Sequence, residues 1–241
     1  MPVPRLLPVS LLSNLRAPGK PLLCYVTDRR TLPGVAPETS LAALAQKIQQ
    51  VASAGVDWVQ IREKDLTARD LAALTREVLR STAKSTSSKA GAVRILVNDR
   101  LDVALAEGAG GVHLGEKSLP VQEAKRLWCL SALPGSPAAD FLFGVSCHSL
   151  EAARDAARSG ADYIFFGPVF ATPSKATFGA PQGLERLKQV CSAVTVPVIA
   201  IGGITLENAS SCMQAGAAGL AAIRLLQDTD DAADVVMELR R

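Results

Sequence analysis

Asp57-Trp58-Val59-Gln60-Ile61-Arg62-Glu63-Lys64 is a short apolar run that passes without a break into alternating amide and charged side chains. Side chains in an extended segment repeat with a period of two, so Trp58, Gln60, Arg62 and Lys64 share one side. An apolar strand that ends on an amide and two cations reads as the carboxyl end of a buried parallel strand opening on an anion site.

Similar apolar runs recur along the chain, each followed by a helical pattern. Leu22-Leu23-Cys24-Tyr25-Val26 precedes a helix from Ser40, taken as its cap, to about Ala54, where Gly55 stops it. After the opening stretch, Thr67 caps a helix that runs to about Arg80. Val93–Val97 is followed by a helix over 101–107, and Gly111–Leu114 by one over 121–130. Phe141–Val145 leads to a helix capped by Ser149 that ends at Arg158, and Asp162–Phe166 enters a long loop, 167–182, before a helix over 183–193. Val196–Ala200 precedes a helix from Thr205 to Ala215. Gly219–Ile223, ending at Arg224, precedes a closing helix near 231–240. Segments 81–91 and 131–140 are polar or Pro/Gly-containing and read as surface links.

Eight strand-then-helix units indicate an α/β chain folded as a single (β/α)8 TIM barrel over residues 21–241, preceded by an irregular N-terminal extension, residues 1–20. A doubly wound open sheet is the competing architecture, but no G-x-G-x-x-G follows the first strand.

Composition narrows the function classes. The chain of 241 residues is 48% hydrophobic but only 4% aromatic, which suits small side chains packed between parallel strands and helices. A net charge of +3 argues against nucleic acid as a partner and is compatible with a small anionic ligand. The five cysteines, Cys24, Cys129, Cys147, Cys191 and Cys212, are scattered without C-x-x-C spacing and are expected to be reduced thiols in a cytoplasmic protein. Pro4 and Pro8 interrupt the apolar leader, so a signal peptide is not expected, and no run reaches the roughly 18 apolar residues of a membrane span. Oligomeric state is left open, a homodimer being one outcome.

Ligands of such barrels sit at the carboxyl ends of the strands. The polar residues there are Thr27 and Asp28; Gln60, Arg62 and Lys64; Asn98 and Asp99; Ser118; Ser146 and His148; Thr172, Ser174 and Lys175; Gly202 and Gly203; and Arg224. Each has a structural reading: Arg62–Glu63 as a rim ion pair, Asn98-Asp99 as a helix cap, Ser146 as a cap, His148 as a rim histidine, the glycines as a tight turn. Jointly, three cations (Arg62, Lys64, Lys175) around one barrel mouth repel each other unless an anionic ligand or a metal with phosphate is present. Gly202-Gly203 and Ile223-Arg224 follow the last two strands, where many such barrels hold a phosphate.

Tyr25-Val-Thr-Asp28, Gln60-Ile-Arg62-Glu-Lys64, Asn98-Asp99-Arg-Leu-Asp102, Gly111-Val-His-Leu-Gly115, Ser146-Cys-His148-Ser149, Gly167-Pro-Val-Phe170 with Thr172-Pro-Ser-Lys175, and Ala200-Ile-Gly-Gly-Ile204 occur in order over residues 22–227. Together they resemble thiamine phosphate synthase and its paralogue the thiazole tautomerase, which share one barrel fold.

The resemblance implies a transferase of thiamine biosynthesis that condenses hydroxymethylpyrimidine diphosphate with thiazole (carboxylate) phosphate, giving thiamine phosphate and pyrophosphate. It implies that Gln60, Arg62, Lys64, Asn98, Ser146 and Lys175 hold the pyrimidine diphosphate and that Asp99 binds Mg2+. Thr172, Ser174, Gly203, Ile223 and Arg224 would hold the thiazole phosphate. Lys175, Arg62, Ser146 and His148 are the residues expected to carry catalysis. Three positions depart from the family pattern: Ser118 stands where a second metal aspartate is usual, with Glu116 a substitute; Arg224 stands for a serine; and loop 172–182 carries Phe178-Gly179. Ser118 and His148, the latter as acid/base, suit the metal-free tautomerase, whereas Gln60, Lys64, Asn98 and Asp99 make sense for a bound diphosphate. A non-catalytic phosphate-ligand-binding barrel is the third reading.

Overall fold

Eight strands pair in parallel, each with its successor in sequence, and the first pairs with the last to close a barrel. They are β1 Leu22–Val26, β2 Trp58–Ile61, β3 Arg94–Asn98, β4 Gly111–Leu114, β5 Leu142–Cys147, β6 Tyr163–Phe166, β7 Val198–Ile201 and β8 Gly219–Ala222. Closure rests on Leu22 to Tyr25 facing Gly219 to Ala222. The computed structural model describes residues 20–84, 92–131, 140–172 and 180–241. The expected extension over 1–20, apart from Lys20, and most of the two links lie outside these residues, as do Ser174, Lys175, Phe178 and Gly179.

The helices are α1 Ser40–Ser53, α2 Ala68–Lys84, α3 Leu101–Glu107, α4 Val121–Ser131, α5 Leu150–Arg158, α6 Gly183–Ala193, α7 Leu206–Gln214, α8 Arg224–Gln227 and α9 Ala232–Leu239. Period-two alternation sorts the strand residues into two cores. Leu23, Tyr25, Val59, Ile61, Val97 and Val112 belong to the shell packed with the helices. Leu22, Cys24, Val26, Trp58, Leu96, Leu142, Tyr163, Phe165, Ile199 and Ala221 form a separate cluster filling the lumen. Few aromatics suffice because they stack inside one another there: the Trp58 and Tyr163 rings lie 4.7 Å apart, and Tyr163 and Phe165 5.4 Å. Room for Tyr163 comes from Gly144 on the neighbouring strand, where a Cβ would fall 2.0 Å from the ring.

The even strands are entered alike. Gly55, Gly108, Gly160 and Gly216, all at positive φ, end the preceding helices. Val56, Ala109, Ala161 and Ala217 follow, all buried. The next residue in each case, Asp57, Gly110, Asp162 or Ala218, donates its backbone N–H to a carbonyl of the preceding odd strand. Asp57 and Asp162 repeat the link through their side chains, accepting from the backbone N–H groups of Leu23 and Phe143 at 2.7 Å each.

Two local expectations change. Ser40 is the first residue of α1, not its cap; a 3-10 turn over Pro37–Thr39 runs into the helix, and the Ser40 hydroxyl donates to the Pro37 carbonyl at 2.6 Å. Strand β8 ends at Ala222, because Ile223 already has helical backbone angles and Arg224 opens α8. That short helix is anchored by buried Gln227, whose Oε1 accepts from the Tyr25 hydroxyl at 2.9 Å and whose Nε2 donates to the Asp28 carbonyl at 3.0 Å.

Gly144→Ala is expected to lower the unfolding free energy by roughly 1–3 kcal/mol through overpacking against Tyr163. Urea denaturation checks this, and an unchanged midpoint would show that the lumen yields at that point.

Candidate active site

The opening stretch is held from behind. Strand β2 ends at Ile61, so the alternation that turns Gln60 into the lumen does not itself place Arg62 and Lys64. Their position comes from two carboxylates instead. Glu63 is buried and accepts from the Thr27 hydroxyl at 2.6 Å and the Arg29 guanidinium at 3.0 Å. Asp65 takes the other face of that guanidinium at 2.5 and 2.7 Å, and the Arg29 guanidinium holds its carboxyl well below the usual carboxylate range. Thr27 completes the clamp by accepting from the Arg62 backbone N–H at 2.9 Å. Glu63 is thus paired with Arg29, not with Arg62 as a rim pair. Among the described residues no acidic partner neutralises Arg62, half-buried, or Lys64, exposed.

Next to it lies a chain of side chains in which each fixes the orientation of the next. Asp99 can only accept, so the Asn98 amide presents Nδ2 to it at 2.8 Å and leaves Oδ1 facing Gln60. Gln60 must then offer Nε2 to that oxygen, at 2.8 Å. Its own Oε1 is left as the one buried side-chain polar atom without a hydrogen-bond partner among the described residues. A buried orphan acceptor costs about 1–3 kcal/mol, and a ligand N–H at that point offsets it.

Asp99 sits at φ 60°, the one non-glycine residue at positive φ among the described residues, in a conformation held by its surroundings at the mouth. The Ser118 hydroxyl donates to Asp99 Oδ1, and the Gly115 backbone N–H reaches both Asp99 and Ser118, at 3.0 and 2.9 Å. The reading of Asn98-Asp99 as a cap for α3 does not hold: Arg100 occupies the cap position and no side chain caps that end. Glu116 is directed elsewhere than Asp99, its Oε1 accepting the His148 backbone N–H at 2.8 Å, because loop 115–120 folds Ser118 rather than Glu116 against Asp99.

On the opposite wall Ser146 is half-buried near the end of β5, and it caps no helix; Ser149 does that for α5. The His113 ring contacts Ser146 Oγ at 2.9 Å through Nε2 and the Tyr163 hydroxyl at 3.0 Å through Nδ1. His148 Nδ1 meets the Gly167 carbonyl, which fixes that ring at the rim. Gly202 and Gly203 allow the loop after β6 to approach: a Cβ on either would lie 2.6 Å from Pro168 or from the Ala171 carbonyl. Thr172 is half-buried and Arg224 exposed.

The mouth therefore collects Gln60, Arg62, Lys64, Asn98, Asp99, Ser118, Ser146 and His148, with Gly203, Ile223 and Arg224 at the β7–β8 side. His113, Tyr163 and Gln227 were not among the residues singled out from the sequence. For His113 the signal is strand parity, since it shares register with Asn98 and so projects inward.

Such a fold is a (β/α)8 barrel with a polar cluster at the carboxyl ends of its strands, the end at which enzymes of this architecture bind their ligands. Residues 32–226 match the family model described as thiamine monophosphate synthase, and the chain belongs to that family. It is 42% identical over 219 residues to a thiamine-phosphate synthase of Methanoculleus marisnigri, covering 90% of this chain and 92% of that protein. A thiamine-phosphate synthase of Clostridium novyi is 35% identical, with 87% and 92% covered. Among solved structures, thiamine phosphate pyrophosphorylase from Pyrococcus furiosus superposes with a TM-score of 0.72 at 30% identity, over 90% of this chain and 92% of that one. No helix of the described residues is long and apolar enough to cross a membrane.

Arg29→Met leaves Glu63 buried without its cation and is expected to cost about 3–5 kcal/mol at pH 7, measured by urea denaturation. Because Arg29 depresses the folded-state pKa of Asp65, that part of its contribution is present above the unfolded carboxylate pKa and is lost as pH falls. The wild type and variant should thus converge in acid; a gap unchanged at pH 3 would refute the clamp.

Proposed function

We propose that this enzyme condenses hydroxymethylpyrimidine diphosphate with thiazole phosphate to give thiamine phosphate and pyrophosphate, or with its carboxylate to give the same products and carbon dioxide. The observation that carries the reading is the orphaned Gln60 Oε1, an acceptor fixed in the lumen by Asn98 and Asp99 and suited to the amino group of a pyrimidine. Arg62 and Lys64 meet the diphosphate, with Asn98 and Ser146 as further donors. Lys175 and Ser174 belong to this reading by sequence. Gly203, Ile223 and Arg224, with Thr172, take the thiazole phosphate at the β7–β8 side, where barrels commonly hold a phosphate.

In the reaction the bond between the pyrimidine methylene carbon and the diphosphate oxygen breaks, its electron pair leaving with pyrophosphate. The thiazole nitrogen then donates its lone pair to that carbon. Charge grows on the leaving oxygens, so cations preorganised around them by the Glu63–Arg29 clamp stabilise the transition state more than the ground state. His148 stays at the rim, tied to Gly167, and orders that edge of the mouth.

Mg2+ is part of the proposal. The donor set fits it: one carboxylate, Asp99, beside the Ser118 hydroxyl matches an ion held by one or two carboxylates plus substrate phosphates. Asp99 and Ser118 would hold the ion together with oxygens of the diphosphate. Bound there, it would neutralise charge developing on the leaving group. The tautomerase and the non-catalytic barrel are less favoured: neither uses the Gln60–Asn98–Asp99 chain, and the relatives carry the synthase name.

Purified protein given both phosphorylated precursors and Mg2+ should release pyrophosphate, and EDTA should stop it. No release from folded protein would reject the synthase. Gln60→Leu should lower kcat/KM by about 10- to 100-fold, from the loss of one ligand hydrogen bond.

A further inference from the structure

We propose that Tyr163 and His113 are positioning residues that fix the hydroxyl of Ser146 as a hydrogen-bond donor toward an anionic oxygen in the barrel mouth. The inference deepens the function proposed above, since it rests on an anionic group meeting Ser146.

Tyr163 is fully buried, stacked with Trp58 and Phe165, and burial keeps its phenol protonated, well above the usual range. Its O–H needs an acceptor, and among the described residues its hydrogen-bond partner is His113 Nδ1 at 3.0 Å. If that nitrogen carried a proton, the tyrosine oxygen would accept it and its own O–H would be left buried without an acceptor, the costly arrangement for a polar group. Nδ1 therefore accepts, and in a neutral imidazole the proton is then on Nε2.

Nε2–H faces Ser146 Oγ at 2.9 Å, so it donates and the serine oxygen accepts. The Ser146 proton is then directed away from His113. Ser146 is half-exposed at the carboxyl end of β5, so that proton is offered to the mouth. Reversing the chain would turn a lone pair of Ser146 toward the ligand, which repels phosphate oxygens. Packing holds the imidazole in place: its ring lies 4.3 Å from Phe165 and 5.5 Å from Tyr163.

The chain contains two histidines, His113 and His148, so histidine-selective 15N labelling gives two resolvable rings. Long-range 1H–15N correlation of the wild-type protein without ligand should show His113 as the neutral Nε2–H tautomer from pH 6 to 8; an Nδ1–H tautomer or a cation there overturns the proposal. Binding of inorganic pyrophosphate with Mg2+, by calorimetry, supplies the second measurement. Tyr163→Phe should move His113 to a mixture of tautomers and weaken pyrophosphate by roughly two- to fivefold, as the competent fraction falls. In a Ser146→Ala background the Tyr163→Phe change should have no further effect. Equal losses in both backgrounds would mean that Tyr163 acts through general packing and would refute the relay. Thermal unfolding checks that each variant is folded. The wild-type spectrum decides by itself if Tyr163→Phe does not fold, and it does so whether or not pyrophosphate is released in the synthase assay.

Discussion

Closing a parallel sheet on itself commits alternate residues of every strand to the lumen, and the rest of the molecule is a response to that constraint. The lower layers answer with Trp58, Tyr163, Phe165, Leu96 and Ile199, an apolar plug that needs Gly144 to fit. The upper layer is polar instead. Gln60, Asn98, His113 and Ser146 stand there, and each has its polar atoms directed by a neighbour.

Direction, more than presence, is what the site builds. An amide or an imidazole has a donor end and an acceptor end, and which end meets a ligand is decided by whichever neighbour has no choice. Asp99, which only accepts, decides for Asn98 and Gln60; Tyr163, which must donate, decides for His113 and Ser146. The cations are handled separately. Arg29 is consumed by Glu63 and Asp65, and Glu63 is thereby withheld from its neighbour Arg62. Interactions realised in this way cost little reorganisation when charge develops.

The fold was legible because it is written in local patterns. Helices over 101–107 and 183–193 end where glycine stops and apolar periodicity place them, and the strand list needs only small shifts, as at β5, which runs to Cys147. Arg224 was misplaced because α8 is set by a distant anchor, Gln227 against Tyr25, which no local window contains. The site was legible as an inventory and not as a wiring. Nothing adjacent to Glu63 announces that Arg29 lies against it, and His113 looks like one more buried strand residue until its register with Asn98 and its contacts on β5 and β6 are known. Glu116 likewise spends one carboxylate oxygen on the His148 backbone across the mouth, a contact that no local window contains.

The shared entry to β2, β4, β6 and β8 gives the barrel a modular character. A helix-ending glycine, a buried small residue and a backbone bond to the preceding strand recur at every second strand, so the molecule is four two-stranded modules set around an axis. The junctions inside a module are short and tied to the sheet.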